Sequence, residues 1–176
     1  AELSAGERQR TAIARALLHD VYLVESLGEV FEHFGQGRLP ATFVTRLGDT
    51  VTPDGATLYV ADGYGSSKVY ALLTKDGSWA DHPFGGKGKE HGQFSTPHGI
   101  TWDPRHKLFC VSDRGNARLE YVTADGSYDH TVTAPEITQP CNVDVWGDYL
   151  LVPNLNGTVA ILDKENRVVS VLELAR

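Results

Sequence analysis

A strand-and-turn phrase written three times constrains this chain more than any other feature. It reads TPDGATLYVADGYGSSKVYALLTKDGSW from Thr52, WDPRHKLFCVSDRGNARLEYVTADGSY from Trp102 and, more loosely, VWGDYLLVPNLNGTVAILDKENRV from Val145. Each copy has an apolar strand ending in Asp62, Asp113 or Asn154, then a Gly- or Asn-bearing turn, a second strand and another turn. Those second turns are Asp76-Gly77, Asp125-Gly126 and Lys164-Glu165-Asn166, and Asp-Gly steps of this kind favour hairpins. The strands are rich in Val, Leu, Tyr and Phe, as pleated and buried segments require.

The equivalent Asp/Asn positions lie 51 and 41 residues apart. That period suits one four-stranded blade of a β-propeller per repeat; a leucine-rich solenoid needs a shorter one and helical repeats need helical spacing. Closed propellers carry roughly four to eight blades. About three blades therefore predict an open arc with uncovered edges, and self-association through those edges follows. The expected fold class is mainly β: a partial, unclosed propeller with one N-terminal α-helix.

That helix is expected from about residue 5 to 19. Ser4 and Glu7 match a capping box, and Ala12, Ile13, Ala16 and Leu17 fall on one helical face. Val21 to Val24 reads as a short strand. Gly35, Gly37 and Pro40 punctuate a stretch without periodicity. The chain divides accordingly into a helical segment at 1–27, a linker or junction at 28–48 and the blades at 49–176. It begins at Ala1 and contains no methionine, which reads as a processed product or a piece of a longer chain.

With 23 acidic and 16 basic residues, the net charge of −7 argues against a nucleic-acid or anionic-membrane surface. Arg8, Arg10 and Arg15 read as a solvated helix face. No apolar run approaches a membrane span, and the first 20 residues lack the apolar core of a secretory signal. No compartment is implied. Cys110 sits in the apolar run Leu108-Phe109-Cys110-Val111 and is expected to be a buried, inert thiol; a disulfide to Cys141 has no pattern behind it.

Two resemblances follow from longer motifs. Residues 3–19, LSAGERQRTAIARALLH, resemble the signature loop and helix of ABC-type ATPases, which makes Ser4, Gly6 and Glu7 weak nucleotide-contacting candidates, acting in trans if at all. No GxxxxGK[ST] loop exists anywhere in the chain, so intrinsic ATP hydrolysis is not expected. The segments YVADGYGSSKV, FGGKG…GQF…PHGI and VSDRGNARL resemble NHL-repeat propellers, and among them the six-bladed peptidyl-α-hydroxyglycine α-amidating lyases, over about 49–172.

That second resemblance implies a ligand- or protein-binding scaffold. In its sharpest form it implies a metal-dependent carbon–nitrogen lyase acting on a peptidyl-amidoglycolate. It makes His98 of the Pro-His motif a ligand of a metal, zinc above all, Tyr64 the catalytic phenol and Arg114 the carboxylate-orienting group. The implied partners are a small molecule or peptide. Each residue also has an ordinary role to be weighed: a backbone hydrogen bond for His98, turn packing for Tyr64, and pairing with Asp113 or Asp62 for Arg114. The third repeat carries Pro140-Cys141-Asn142 where a second Pro-His is expected, so the zinc set is short of the three protein ligands a catalytic site uses. His82, His91 and His106 lie in polar loops and are expected to be solvated. The alternatives are an ABC ATPase fragment or a chimeric reading frame with no evolved function.

Overall fold

The computed structural model describes residues 55–173 with their side chains, together with the backbone of the strands Val21–Val24, Thr42–Thr45 and Thr50–Val51. Three antiparallel meanders follow one another. Blade 1 comprises β3 (Thr50–Val51), β4 (Thr57–Asp62), β5 (Lys68–Leu73) and β6 (Ser78–Trp79), with β7 (Phe84–Gly85) also pairing with β5. Blade 2 comprises β8 (Pro97–Asp103), β9 (Leu108–Asp113), β10 (Arg118–Val122) and β11 (Tyr128–Val132). Blade 3 comprises β12 (Asp144–Trp146), β13 (Tyr149–Pro153), β14 (Thr158–Leu162) and β15 (Val168–Glu173).

The architecture is mainly β and an open arc of propeller blades, as the repeats predict. The strand expected at 21–24 is present as β1, pairing in parallel with β2 (Thr42–Thr45); β2 in turn pairs with β3, so both extend the sheet of blade 1. Thr42-Phe43-Val44-Thr45, β-branched and aromatic, is strand-forming sequence inside the stretch expected to be a linker. The predicted helix and the candidates Ser4, Gly6 and Glu7 lie outside the described residues. Among the described residues no helix is long and apolar enough to cross a membrane.

Alternation along the strands decides which blade each side chain touches. Phe109 and Val111 of β9 pack with Tyr59, Ala61, Val69, Phe94, Ile100 and Val122 between blades 1 and 2. Cys110, between them in sequence, points the other way and joins Leu119, Tyr121, Leu150, Val152, Ala160 and Leu162 between blades 2 and 3. A strand covered on both faces has no polar side to show, which is why LFCV reads as a continuous apolar run. Cys110 is accordingly buried and free, and burial pushes its thiol well above the ordinary range. Cys141 is also free, so no disulfide links the two.

The hairpin turns are fixed by short polar side chains. Asp76 accepts hydrogen bonds from the Ser78 hydroxyl (2.6 Å) and amide (3.0 Å), and Asp125 from the Thr123 hydroxyl and the Ser127 amide. Asp163 accepts from the amides of Glu165 and Arg167. All three carboxyls are held below the usual carboxylate range, chiefly by Ser78, Thr123 and Arg167 respectively.

Candidate functional site

Asp62 and Asp113, which end the second strand of their blades, and Asn154, directly after β13, act as loop anchors. The Asp62 carboxylate accepts from the amides of Ser66 (2.7 Å) and Gly65 (2.9 Å), closing its own turn; the Ser66 amide and hydroxyl are the main reason its carboxyl sits below the usual range. Asp113 reaches back to the loop entering its blade, accepting from the Ser95 amide at 2.6 Å, and also from Asn116 Nδ2 and Arg118 Nε. Asn154 does the same in blade 3, accepting from the amides of Thr138 and Gln139 at 3.0 and 3.1 Å. The sequence marks these positions as equivalent, and the anchoring explains why each must carry a short side chain with an acceptor oxygen.

The anchored loops gather at one end of the blades, and there three residues nominated from separate motifs meet. Arg114 Nη2 donates to the Tyr64 hydroxyl at 3.0 Å, with the guanidinium carbon 5.2 Å from the centre of the Tyr64 ring. The Tyr64 ring meets His98 edge-on at a centroid distance of 5.9 Å. Tyr64 is 81% exposed, so it is no core aromatic. Arg114 is half-buried and has no carboxylate partner among the described residues; its ordinary alternatives, Asp113 and Asp62, are occupied by amides and by Arg118.

His98 is held by blade 3: its Nδ1 lies 2.7 Å from the carbonyl oxygen of Cys141. A carbonyl only accepts, so Nδ1 carries the proton and the neutral ring keeps its lone pair on Nε2. This is how metal-binding histidines are commonly oriented. What reaches His98 is the Cys141 backbone carbonyl, not its side chain. Two glycines set the spacing. A Cβ at Gly63 would lie 2.3 Å from the Pro97 carbonyl oxygen, and one at Gly99 would lie 2.5 Å from Asn142 Oδ1 and 3.1 Å from the Cys141 carbonyl oxygen. Asn142 was not singled out from sequence; its position after Pro140-Cys141, matching Gly99 after Pro97-His98, was the available signal.

The zinc expectation meets a short donor set. Among the described residues no group of three or more His, Cys, Asp or Glu is placed to hold a metal ion. One oriented imidazole does not make a catalytic zinc site. Of the other histidines, His82 and His91 are exposed, His91 stacking on Tyr128 at 4.2 Å. His106 departs from expectation: it is half-buried against Tyr121, with Nε2 lacking a hydrogen-bond partner.

A second polar network holds the neighbouring loop. Buried Arg118 pairs with Asp113 (2.8 Å) and Glu120 (3.2 Å) and donates to the carbonyls of Lys89, Glu90 and Gln93. Glu120, fully buried, accepts from the Gly92 amide and the Thr131 hydroxyl. The glycine-rich segment 85–92 is thereby tied to the blade by structural hydrogen bonds.

No protein-family model matches the chain. A 78-residue stretch is 31% identical to peptidyl-glycine alpha-amidating monooxygenase of Mus musculus, covering 43% of this chain and 8% of the relative. The Rattus norvegicus protein gives 30% over 78 residues with the same coverage. Among solved structures, a chain of the nidogen/laminin complex superposes with a TM-score of 0.57 at 17% identity, over 72% of this chain and 46% of that one. Virginiamycin B lyase from Staphylococcus aureus gives 0.55 at 14% identity, over 80% and 44%. The chain thus spans a small part of its curated relatives and under half of these solved propellers, and what the likenesses establish for it is the β-propeller fold.

Proposed function

We propose that the loop end of this propeller arc is a binding surface for a small molecule or peptide bearing a carboxylate, with Arg114 as the group that reads it. The convergence of Arg114 and Tyr64 from two loops and His98 from the start of β8, in two blades, carries the proposal. A guanidinium offers five N–H donors in a planar fork suited to a carboxylate; among the described residues only one protein acceptor, the Tyr64 hydroxyl, engages it. Tyr64 steadies the fork through its hydroxyl, and His98 brings a second oriented ring to the same place.

The finer reading is a carbon–nitrogen lyase acting on a peptidyl α-hydroxyglycine, supported by the motif resemblance and by the 31% match. In that reaction the carbinol O–H gives up its proton, a C=O bond forms, the C–N bond breaks and the departing nitrogen takes a proton, leaving an amide and glyoxylate. Arg114 would orient the substrate carboxylate and Tyr64 would serve the carbinol proton.

Calorimetric titration with N-acetylglycine, an inert carboxylate, tests the binding surface, and glyoxylate release from N-acetyl-α-hydroxyglycine tests the lyase. Arg114→Gln is expected to weaken N-acetylglycine binding at least about tenfold, the scale of a lost charge-assisted hydrogen bond. Equal affinity in wild type and variant would overturn the assignment; binding without glyoxylate release would leave the surface and remove the lyase.

A further inference from the structure

Tyr64, His98 and Arg114 each stand beside a glycine, and two of those glycines rest on one tripeptide. A Cβ at Gly63, next to Tyr64, would lie 2.3 Å from the Pro97 carbonyl oxygen and 3.3 Å from the Thr96 carbonyl carbon. One at Gly115, next to Arg114, would lie 2.4 Å from Ser95 Oγ and 2.6 Å from the Ser95 carbonyl oxygen, which accepts the Gly115 amide at 2.7 Å. His98 follows the tripeptide directly. Ser95-Thr96-Pro97 is therefore the common seat of the turns that carry Tyr64 and Arg114 and of the strand start that carries His98.

The backbone of this seat is strained. Thr96 has φ 56°, a left-handed conformation that β-branched residues rarely enter. It also precedes a proline, which favours extended backbone at the residue before it. Thr96 is half-buried, and among the described residues neither its amide nor its hydroxyl makes a hydrogen bond, so no contact of its own offsets the strain. Its neighbours hold it: the Ser95 amide is tied to Asp113 at 2.6 Å, and Pro97 pairs with Asp113 at the end of β9. Directly afterwards the register of β8 on β9 shifts. Pro97 faces Asp113 and Gly99 faces Ser112, which leaves His98 outside the pairing. A bulge of this kind re-aims a side chain, in this case toward Tyr64 and the Cys141 carbonyl.

Blade 3 has the same stretch without these departures. Pro140 pairs with Asn154 as Pro97 does with Asp113, which aligns Thr138-Gln139 with Ser95-Thr96. Gln139 is not left-handed. Asn154 takes the amides of both Thr138 and Gln139, whereas Asp113 takes that of Ser95 alone. The turn after the anchor also docks differently: Leu155, the equivalent of Arg114, gives its amide to the Gln139 carbonyl, while in blade 2 it is Gly115 that bonds to Ser95. The strained seat thus occurs in the blade that carries His98 and Arg114, and not in the one with Cys141 and Leu155 at those places. We propose that Thr96 is a positioning residue: its left-handed backbone shapes the seat that brings Tyr64, His98 and Arg114 together. Strain of this kind persists where the surroundings impose it, and it collects at functional sites. The ligand is that of the proposed carboxylate surface, on which this role rests. The role belongs to the backbone at position 96 and not to the threonine side chain.

Thr96→Gly and Thr96→Pro separate backbone from side chain. Glycine enters the left-handed region freely, so Thr96→Gly is expected to bind N-acetylglycine within about twofold of wild type, with a urea midpoint equal or higher. Proline locks φ at about −65° and removes no hydrogen bond at this position, so Thr96→Pro takes the seat out of its left-handed form. Binding is then expected to weaken at least about tenfold, as when one charge-assisted hydrogen bond is lost. Imidazole ¹⁵N spectra at about pH 8, where the ring is neutral, give a readout that needs no ligand. Wild type and Thr96→Gly are expected to hold His98 in its single Nδ1–H tautomer, and Thr96→Pro to show a mixture. Gly63→Ala displaces the Tyr64 turn from Pro97 without altering Thr96, and the same loss of affinity in it keeps the test open should the proline variant not fold. Weakened binding in Thr96→Gly would move the role to the side chain and overturn the proposal. Wild-type affinity with an unchanged His98 tautomer in the displaced variants would overturn it as well. If wild type itself does not bind N-acetylglycine, the carboxylate surface falls, and the imidazole spectra alone decide whether Thr96 positions His98.

Discussion

Arg105 clamps blade 3 to blade 2 at the end of the blades away from the candidate site, and removing it should be costly. Its guanidinium binds the buried Asp103 carboxylate through two bonds, Nε to Oδ1 at 2.9 Å and Nη2 to Oδ2 at 2.6 Å. It also donates across the interface to the carbonyls of Asp148 (3.3 Å) and Asp163 (3.1 Å) and to Asn166 Oδ1 (3.1 Å). Only 5% of the Arg105 side chain and none of the Asp103 side chain is exposed. Arg105→Ala would leave a buried carboxylate with the Tyr121 hydroxyl (2.9 Å) as its remaining side-chain donor. Stranding one member of a buried pair costs about 3–5 kcal/mol, a large share of the roughly 5–15 kcal/mol that stabilises a domain. At about 2–4 °C per kcal/mol for a chain of this size, the melting temperature should fall by about 6–20 °C.

The pH dependence supplies a second check. Burial alone would raise the Asp103 carboxyl, but hydrogen bonds and charge from Arg105, with help from Tyr121, outweigh it and hold it below the ordinary 3.8. A carboxyl depressed in the folded state contributes stability that is present above 3.8 and is lost as pH falls through its folded value. In Arg105→Ala, burial acts on Asp103 with much less opposition, so acid relieves the variant before it weakens wild type. Urea unfolding of both proteins from about pH 7 to about pH 3 should therefore show a gap that narrows on acidification. Asp103→Asn/Arg105→Met, which strands no charge, should recover at least about half of the loss. A cost below about 1 kcal/mol at neutral pH, or a gap that ignores pH, would refute the clamp.

Other expectations come from backbone and thiol chemistry. The residue before the third strand of each blade adopts a left-handed conformation: Ser67 (φ 57°), Ala117 (φ 52°) and Gly157 (φ 89°). Nothing lies within 4 Å of a Cβ built at Gly157, so Gly157→Ala should cost about 1 kcal/mol in urea unfolding from conformation alone, and Ala117→Gly should cost nothing or stabilise slightly. In native protein a thiol reagent should label Cys141 and leave buried Cys110 untouched, with both reacting in denaturant; early labelling of Cys110 would mean that the interface of blades 2 and 3 opens readily.

What the sequence disclosed depended on whether the signal was local. The strand runs, the Asp-Gly turns and the equivalence of Asp62, Asp113 and Asn154 are local, and they led to the blades and to the motif residues Tyr64, His98 and Arg114. The meeting of those three was not legible, because it depends on how the Tyr64 turn of blade 1 is stacked by the interblade core against blade 2 segments more than 30 residues downstream. The same holds for Cys141, whose backbone carbonyl, and not its distinctive thiol, contacts His98. Arg105 and Asp103 sit two residues apart in an ordinary Asp-Pro-Arg turn, and nothing local announces that their partners are carbonyls more than 40 residues downstream. His106 was misjudged for a related reason: a polar loop in sequence is packed against Tyr121 in space.

The central claim is that loops from blades 1 and 2 form one carboxylate-reading site around Arg114. The most direct measurement is an amide chemical-shift titration of the ¹⁵N-labelled chain with N-acetylglycine. Saturable shifts concentrated at residues 62–66, 95–99 and 113–117, and lost in Arg114→Gln, are the predicted result. Shifts centred elsewhere, or undiminished in the variant, would contradict it.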